Sequence, residues 1–345
     1  MSTQPDLSQE PPPPDTLLDL LLGTVADPLL KLPILRAGIE LKVWAKISEG
    51  NQTASEIASA IGADPGGMRR LLDALTMMKL LEKDASFYRL PDWAEYYLLP
   101  NKPTYFGDFV LEWLAWEGHG KLADAIRTGK HPILPDVTHP ESVKHFIPFY
   151  AYHVLAPQRS IHRYDGYWQA LQVEPRPGLK VLDLACGAGI ASLALAIQHP
   201  GISVMLQDWP AMLEIAQQVA RKLGVEQQIR MLPGEMLTVD YGEDKFDIVR
   251  LGFITYFFGA EDLVKLFCHV YTALSPGGML VIETPLSDEG HCENEDAVVD
   301  GPWLYAVSAK GDVYTFFDYK GFLEQAGFKS VTQVKEDLIM AVRII

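Results

Sequence analysis

Residues 181–189 read Val181-Leu182-Asp183-Leu184-Ala185-Cys186-Gly187-Ala188-Gly189, and the fold turns on them. An apolar strand enters a turn of small residues, and the turn opens a helix at ASLALAIQHP. Gly187 and Gly189 let backbone amides approach a ligand closely at such a strand-to-helix connection. The pattern continues as LKVLDLA, ISVMLQD, QIRMLPG, FDIVRLGF and GGMLVIETP, with the helical runs PAMLEIAQQVARKLG and EDLVKLFCHVYTAL among them. Strands alternating with helices imply a mostly parallel sheet covered on both faces. Right-handed crossovers then bring the strand ends to one rim. The expected catalytic fold is a doubly wound α/β domain over residues 176–345.

Working back from this run, the chain changes character. Residues 1–16 carry four consecutive prolines and are expected as a loose arm. From 17 to 105 the pattern is mainly helical. Thr53 and Glu56 form a capping-box signature, and Met68, Leu71, Leu72, Leu75 and Met78 recur at helical spacing. LLEKDASFYRL suits a small hairpin turning at Asp84 to Ser86. Helix, turn, helix and hairpin make a winged-helix module. Its basic residues Arg69, Arg70, Lys79, Lys83 and Arg89 are matched by Glu56, Asp64, Asp73, Glu82 and Asp84, which leaves no basic surface for DNA. The run LLKLPILRAGIELKVWAKI is apolar around its whole circumference, more than one small interface requires, and a second subunit is the natural cover for that excess. Residues 106–175 are expected as a helical connector that contributes to a pocket.

The 345 residues are 48% hydrophobic and carry a formal charge of −16, with 45 acidic against 29 basic residues. A sizeable core is therefore available, and phosphate backbones meet no broad attractive surface. No stretch is long and apolar enough to be expected to span a membrane. Cys186, Cys268 and Cys292 have no metal-binding spacing, and the histidines are not grouped with carboxylates. Free thiols, no metal and a cytoplasmic location are the expectations.

Asp208 ends the strand after the glycine turn, in MLQDWP, and an acid there can accept hydrogen bonds from both hydroxyls of a ribose. A nicotinamide dinucleotide would need a third glycine at the usual interval, where Ile190, Ala191 and Ser192 stand instead. The turn suits a nucleoside with a short cationic tail better than a pyrophosphate.

With DLACGAG, QDWP, LPGEM, LSPGGMLVIE and FLEQAGF in place after a winged module, residues 29–345 resemble the S-adenosylmethionine (SAM)-dependent small-molecule O-methyltransferases with a winged-helix dimerisation domain. The resemblance implies a Rossmann-like SAM domain, a homodimer, a small-molecule substrate, and S-adenosylhomocysteine (SAH) as product. It implies that Asp183, Gly187 and Gly189 shape the methionine end of the site. Asp208 would bind the ribose, and Trp209, Met212, Gly234, Glu235 and Met236 would border the adenosine. Two positions depart from the family: Glu235 stands where aspartate is commoner, and Ala185 replaces the first glycine of the turn.

A third departure bears on catalysis. In LGFITYFFGAED, the position at which the O-methylating relatives carry a histidine base is Tyr256. A neutral phenol is a poor base unless its phenolate is stabilised. Asp312 and Asp318 are the only nearby acids in GDVYTFFDYKGF, and His153 is the best substitute base by type, with His119 a weaker one. Two explanations remain open. The acceptor could arrive already ionised, or it could be a nucleophilic carbon, as in the bacteriochlorophyll C-20 methyltransferase, which this chain resembles in having a tyrosine in the loop. A noncatalytic ligand-binding regulator is the alternative from a different class. Phe146, Phe149, Tyr150, Phe257, Trp303 and Tyr305 are the expected aromatic walls for a planar substrate.

Overall fold

The structure, a computed structural model, describes residues 27–113, 120–129, 138–174, 176–308 and 310–344. The arm expected over residues 1–16 and the candidate base His119 lie outside them. The chain divides into two compact units at Leu111/Glu112, so the segment expected as a connector, 106–175, falls mostly in the second.

In the first unit, the apolar run expected as one helix forms two, α1 (Asp27–Glu40) and α2 (Val43–Ser48). Lys42 separates them in the left-handed region at φ 54°. Helix α3 (Ala54–Ile61) starts with the expected box: Glu56 N–H donates to Thr53 Oγ1 at 3.3 Å, and Thr53 N–H donates to Glu56 Oε2 at 2.9 Å. Helix α4 (Pro65–Met77) has proline in its first turn, where no amide partner is lost, and Asp64 as its cap. Strands β1 (Glu82–Asp84) and β2 (Phe87–Arg89) pair antiparallel as the hairpin. Val43, Trp44, Ile57, Leu72 and Leu75 are buried, and the Trp44 indole donates to Leu80 O at 3.0 Å. Three basic groups of the module meet acids locally: Asp73 takes both Arg69 at 3.0 Å and Lys83 at 2.5 Å, and Asp84 lies 3.7 Å from Arg89.

The second unit is built on a seven-stranded sheet of order β5-β4-β3-β6-β7-β9-β8. Its strands are β3 (Lys180–Leu184), β4 (Ser203–Asp208), β5 (Ile229–Pro233), β6 (Phe246–Gly252), β7 (Leu274–Glu283), β8 (Ser330–Lys335) and β9 (Leu338–Val342). The first five are mutually parallel, whereas β9 runs antiparallel to both β7 and β8. Alternation along each strand sends side chains to opposite faces. Val181, Val204, Leu206, Ile248 and Val281 pack against α5 (Val143–Leu155), α6 (Ile190–Gln198) and α7 (Pro210–Leu223) on one face. Leu182, Leu184, Val249, Leu251, Leu280 and Ile282 pack against α8 (Ala260–Ala273) and α9 (Phe316–Gln325) on the other. The strand order reverses at β3, whose neighbours are β4 and β6. The connections leaving those strands diverge there and open a crevice at their carboxyl ends. Among the described residues, no helix is long and apolar enough to cross a membrane.

Candidate active site

That crevice holds a cavity with about 760 Å³ of empty space, open solvent included, and all of its described lining residues belong to the second unit. Four strand ends supply one side of it. Ala185 and Gly187 follow β3, Gln207 and Asp208 end β4, Gly234 to Met236 follow β5, and Gly252 ends β6 with Phe253 and Ile254 after it. Phe146 and Tyr150 on α5 and the pair Phe257 and Phe258 supply aromatic walls, with Thr138 and Val143 beside them.

The turn after β3 is tight. Gly187 adopts φ 58°, and a Cβ on it would stand 2.4 Å from the Tyr150 ring, so only glycine allows that approach. Ala185 is also left-handed, at φ 48°, in a region where an L side chain costs about 1–2 kcal/mol. The Ala185 methyl is thus carried at the expense of backbone strain.

Asp208 faces this turn. Its carboxylate accepts from Gly187 N–H at 2.8 Å and Trp209 N–H at 2.7 Å. Burial pushes its pKa up to about 6, with the two amides acting in the opposite direction. A carboxylate oxygen can accept more than one hydrogen bond, so the group retains capacity for a diol. Gln207, which sequence reasoning passed over beside the more conspicuous acid, braces the site. Its amide donates to Gly234 O at 2.6 Å and accepts from Ala185 N–H at 3.2 Å, tying the loops after β3 and β5 together. Glu235 accepts from Leu237 N–H at 3.2 Å, and Met212 and Met236 are buried.

Residues 25–100 match the O-methyltransferase dimerisation domain, and residues 181–278 match a methyltransferase domain family. The chain belongs to the SAM-dependent O-methyltransferase family with an N-terminal dimerisation domain. Among its relatives, the 3-hydroxy-5-methyl-1-naphthoate 3-O-methyltransferase of Streptomyces sahachiroi is 26% identical, over 94% of this chain and 93% of that protein. The bacteriochlorophyllide d C-20 methyltransferase of Chlorobaculum tepidum is 23% identical, over 89% of this chain and 91% of that one. A solved O-methyltransferase from Nostoc punctiforme superposes with a TM-score of 0.68 at 25% identity, covering 96% of this chain and all of that one. This methyltransferase therefore uses SAM, and the nicotinamide alternative falls away.

Of the residues expected at its cofactor site, Gly187, Asp208, Trp209, Met212, Gly234, Glu235 and Met236 line the cavity. Asp183 and Gly189 do not. Asp183 is fully buried behind the turn, where it accepts from Ser192 Oγ at 2.7 Å and pairs with Arg250 Nη1 at 3.2 Å. Gly189 lies against Leu206 at the start of α6.

Of the expected acceptor walls, Phe146, Tyr150 and Phe257 line the cavity, but Phe149 is 54% exposed on the other side of α5. Trp303 and Tyr305 lie on the helix Glu295–Val307, and neither is a lining residue. Trp303 packs edge-on behind Phe257 at 6.1 Å between ring centroids.

Neither expected base reaches the cavity. Tyr256 sits in a single 3-10 turn, Thr255–Phe257, that sends it into the cluster of Ala297, Leu304 and Val313 while Ile254, Phe257 and Phe258 face the cavity. Burial first, then Tyr150 and Asp300, pushes its phenol well above the ordinary range, which is the wrong direction for a base. His153 shares a hydrogen bond of 2.8 Å with Ser160, and burial together with Arg163 pushes its pKa down. Asp318 caps α9 by accepting from Thr315 N–H at 2.9 Å, and Asp312 accepts from Val313 N–H at 2.8 Å. Among the described residues, no group of three or more His, Cys, Asp or Glu side chains is arranged to hold a metal ion.

Proposed function

We propose that this methyltransferase methylates a small aromatic or conjugated molecule, most often at a hydroxyl oxygen, with the acceptor seated against Phe146, Tyr150, Phe257 and Phe258. One observation carries the reading: a single cavity is lined both by Asp208 and the loop Gly234 to Met236 and by the aromatic rings of Phe146, Tyr150, Phe257 and Phe258. Asp208 would hold the ribose hydroxyls, with Trp209, Met212 and Met236 around the base and the turn at Ala185 and Gly187 beside the amino-acid end. When bound, SAM supplies a methyl group on a sulfonium centre, open to in-line attack by the acceptor.

The rest falls to the chain. The aromatic walls exclude water and fix a planar acceptor, so that orientation and desolvation supply most of the acceleration. No histidine is among the described lining residues, and Tyr256 keeps its proton. This supports an acceptor that enters as a phenolate or enolate. The naphthoate relative and a tetracenomycin relative named as an 8-O-methyl transferase support oxygen as the target. A second reading, methylation of carbon on a pigment or tetrapyrrole, is favoured by the tyrosine in place of a histidine and by the relative named for C-20 methylation. A homodimer formed through the dimerisation domain and a cytoplasmic location, the latter supported by three free cysteines, complete the reading.

Incubation with methyl-labelled SAM and a panel of phenols and tetrapyrroles, with the label located by mass spectrometry and NMR, tests it. Label on oxygen is expected. Label on carbon selects the second reading, and failure to bind either SAM or SAH in calorimetry removes both.

A further inference from the structure

Directly beside the cavity, three neighbouring strands bring together a buried charge cluster that the proposed function leaves unused. Arg250 on β6 is paired in register with Asp183 on β3, and Gly252 of the same strand is paired with Glu283 on β7. Arg250 Nη1 donates to Asp183 Oδ1 at 3.2 Å, Nη2 to Glu283 Oε2 at 2.5 Å, and Nε to the Tyr167 hydroxyl at 3.3 Å. The guanidinium also lies 5.7 Å from the ring centres of both Tyr164 and Tyr167. All three charged residues are at most 7% exposed.

Two features bear on the cavity. First, a Cβ at Gly252, which lines it, would stand 2.4 Å from the guanidinium, so the cluster lies immediately behind that wall. Second, the cluster is not neutral: one cation meets two carboxylates. A single acid would satisfy the Arg250 charge, and burying a second one carries a desolvation cost. The excess negative charge adds to that of Asp208 and Glu235, which line the cavity, and among the described lining residues none is Lys, Arg or His. In a dry, low-dielectric wall such a charge acts over several ångströms with little screening.

We propose that Glu283, held in place by Arg250, supplies the counter-charge by which the cavity distinguishes cationic SAM from its product. The inference rests on the reading that SAM occupies this cavity. SAM bears a sulfonium that SAH lacks, and their amino-acid ends are otherwise identical. A fixed excess carboxylate therefore favours the methyl donor and weakens its hold once the methyl has left, which eases product release. Glu283 is in this sense a positioning residue for charge. It takes no part in bond making.

Calorimetry on the full-length protein would measure the affinities of SAM, SAH and an aza analogue with a protonated amine in place of the sulfonium. Glu283→Gln keeps an acceptor for Arg250 and removes only the charge. It is expected to weaken SAM and the aza analogue about tenfold while SAH changes less than about twofold. Asp183→Asn cancels the same excess from another strand and must shift the SAM-to-SAH ratio in the same direction, so either variant serves if the other fails to fold. Glu283→Asp, which keeps the charge, should keep the wild-type ratio. If the folded variants weaken all three ligands alike, or weaken none, the inference is overturned and the cluster is structural only. If the wild-type protein binds neither SAM nor SAH, the proposed function fails first and this inference goes with it.

Discussion

Replacing Arg250 by methionine should be among the most damaging single changes in the second unit. Methionine fills much of the arginine stem, so the packing loss is small. The electrostatic loss is not. Asp183 is fully buried and Glu283 nearly so, and each loses its charged hydrogen bond. Leaving buried carboxylates without their cation costs about 3–5 kcal/mol. At roughly 2–4 °C per kcal/mol for a domain of this size, the melting temperature should fall by roughly 6–20 °C.

The pH dependence separates this cause from a packing defect. Burial raises the Asp183 carboxyl, and Arg250 is the largest influence opposing it. Without Arg250 the folded pKa rises further above its unfolded value. A carboxyl raised in this way favours the fold below its unfolded pKa, and that contribution is lost as pH rises through the folded pKa. The deficit of Arg250→Met should therefore be small near about pH 5 and grow toward about pH 8. Thermal melts at both values, with Arg250→Met/Asp183→Asn/Glu283→Gln alongside, would measure it. The triple variant should regain most of the loss, since a neutral cluster of similar shape has no stranded charge. A single variant that melts within about 2 °C of wild type, or whose deficit is the same at both pH values, would refute this account.

Three further outcomes follow from the site. Asp208, raised to about 6 by burial, must be ionised to accept from ribose hydroxyls, so SAH affinity should be flat above about pH 7 and fall about tenfold per pH unit below its pKa. Asp208→Asn should remove that slope and weaken SAH by roughly 10–100-fold in calorimetry. Ala185→Gly relieves a left-handed alanine but gains chain entropy in the unfolded state, for a net rise in melting temperature of roughly 1–2 °C, whereas the β-branched Ala185→Val should melt lower than wild type. Tyr256→Phe should keep turnover within about threefold on the true substrate with an unchanged pH profile, because a working base would be worth about 100-fold or more.

The parallel strands were legible in the sequence because the central ones are largely buried and so read as short apolar runs, KVLDL in β3 and DIVRL in β6 being typical. The closing antiparallel pair was not. Strand β8 is largely exposed at the sheet edge, and SVTQVK carries no apolar alternation to announce it. Asp208 could be found because an acid at a strand end before a helix has a geometric task that spacing reveals. Arg250 could not, because in FDIVRLG it looks like an interruption, and its partners stand 67 and 33 residues away. Only the register between β3, β6 and β7 brings them together.

Tyr256 marks a different limit. The sequence put it on a loop that lines the cavity, but one 3-10 turn decides which of three adjacent aromatic residues face it. Over so short an interval, neither a two-residue nor a 3.6-residue period assigns a direction. The side facing the cavity belongs to Phe257 and Phe258, so the reacting atoms meet hydrocarbon walls there. Charge on the cavity lining itself comes from Asp208 and Glu235, and the two acids that Arg250 holds stand behind the wall at Gly252.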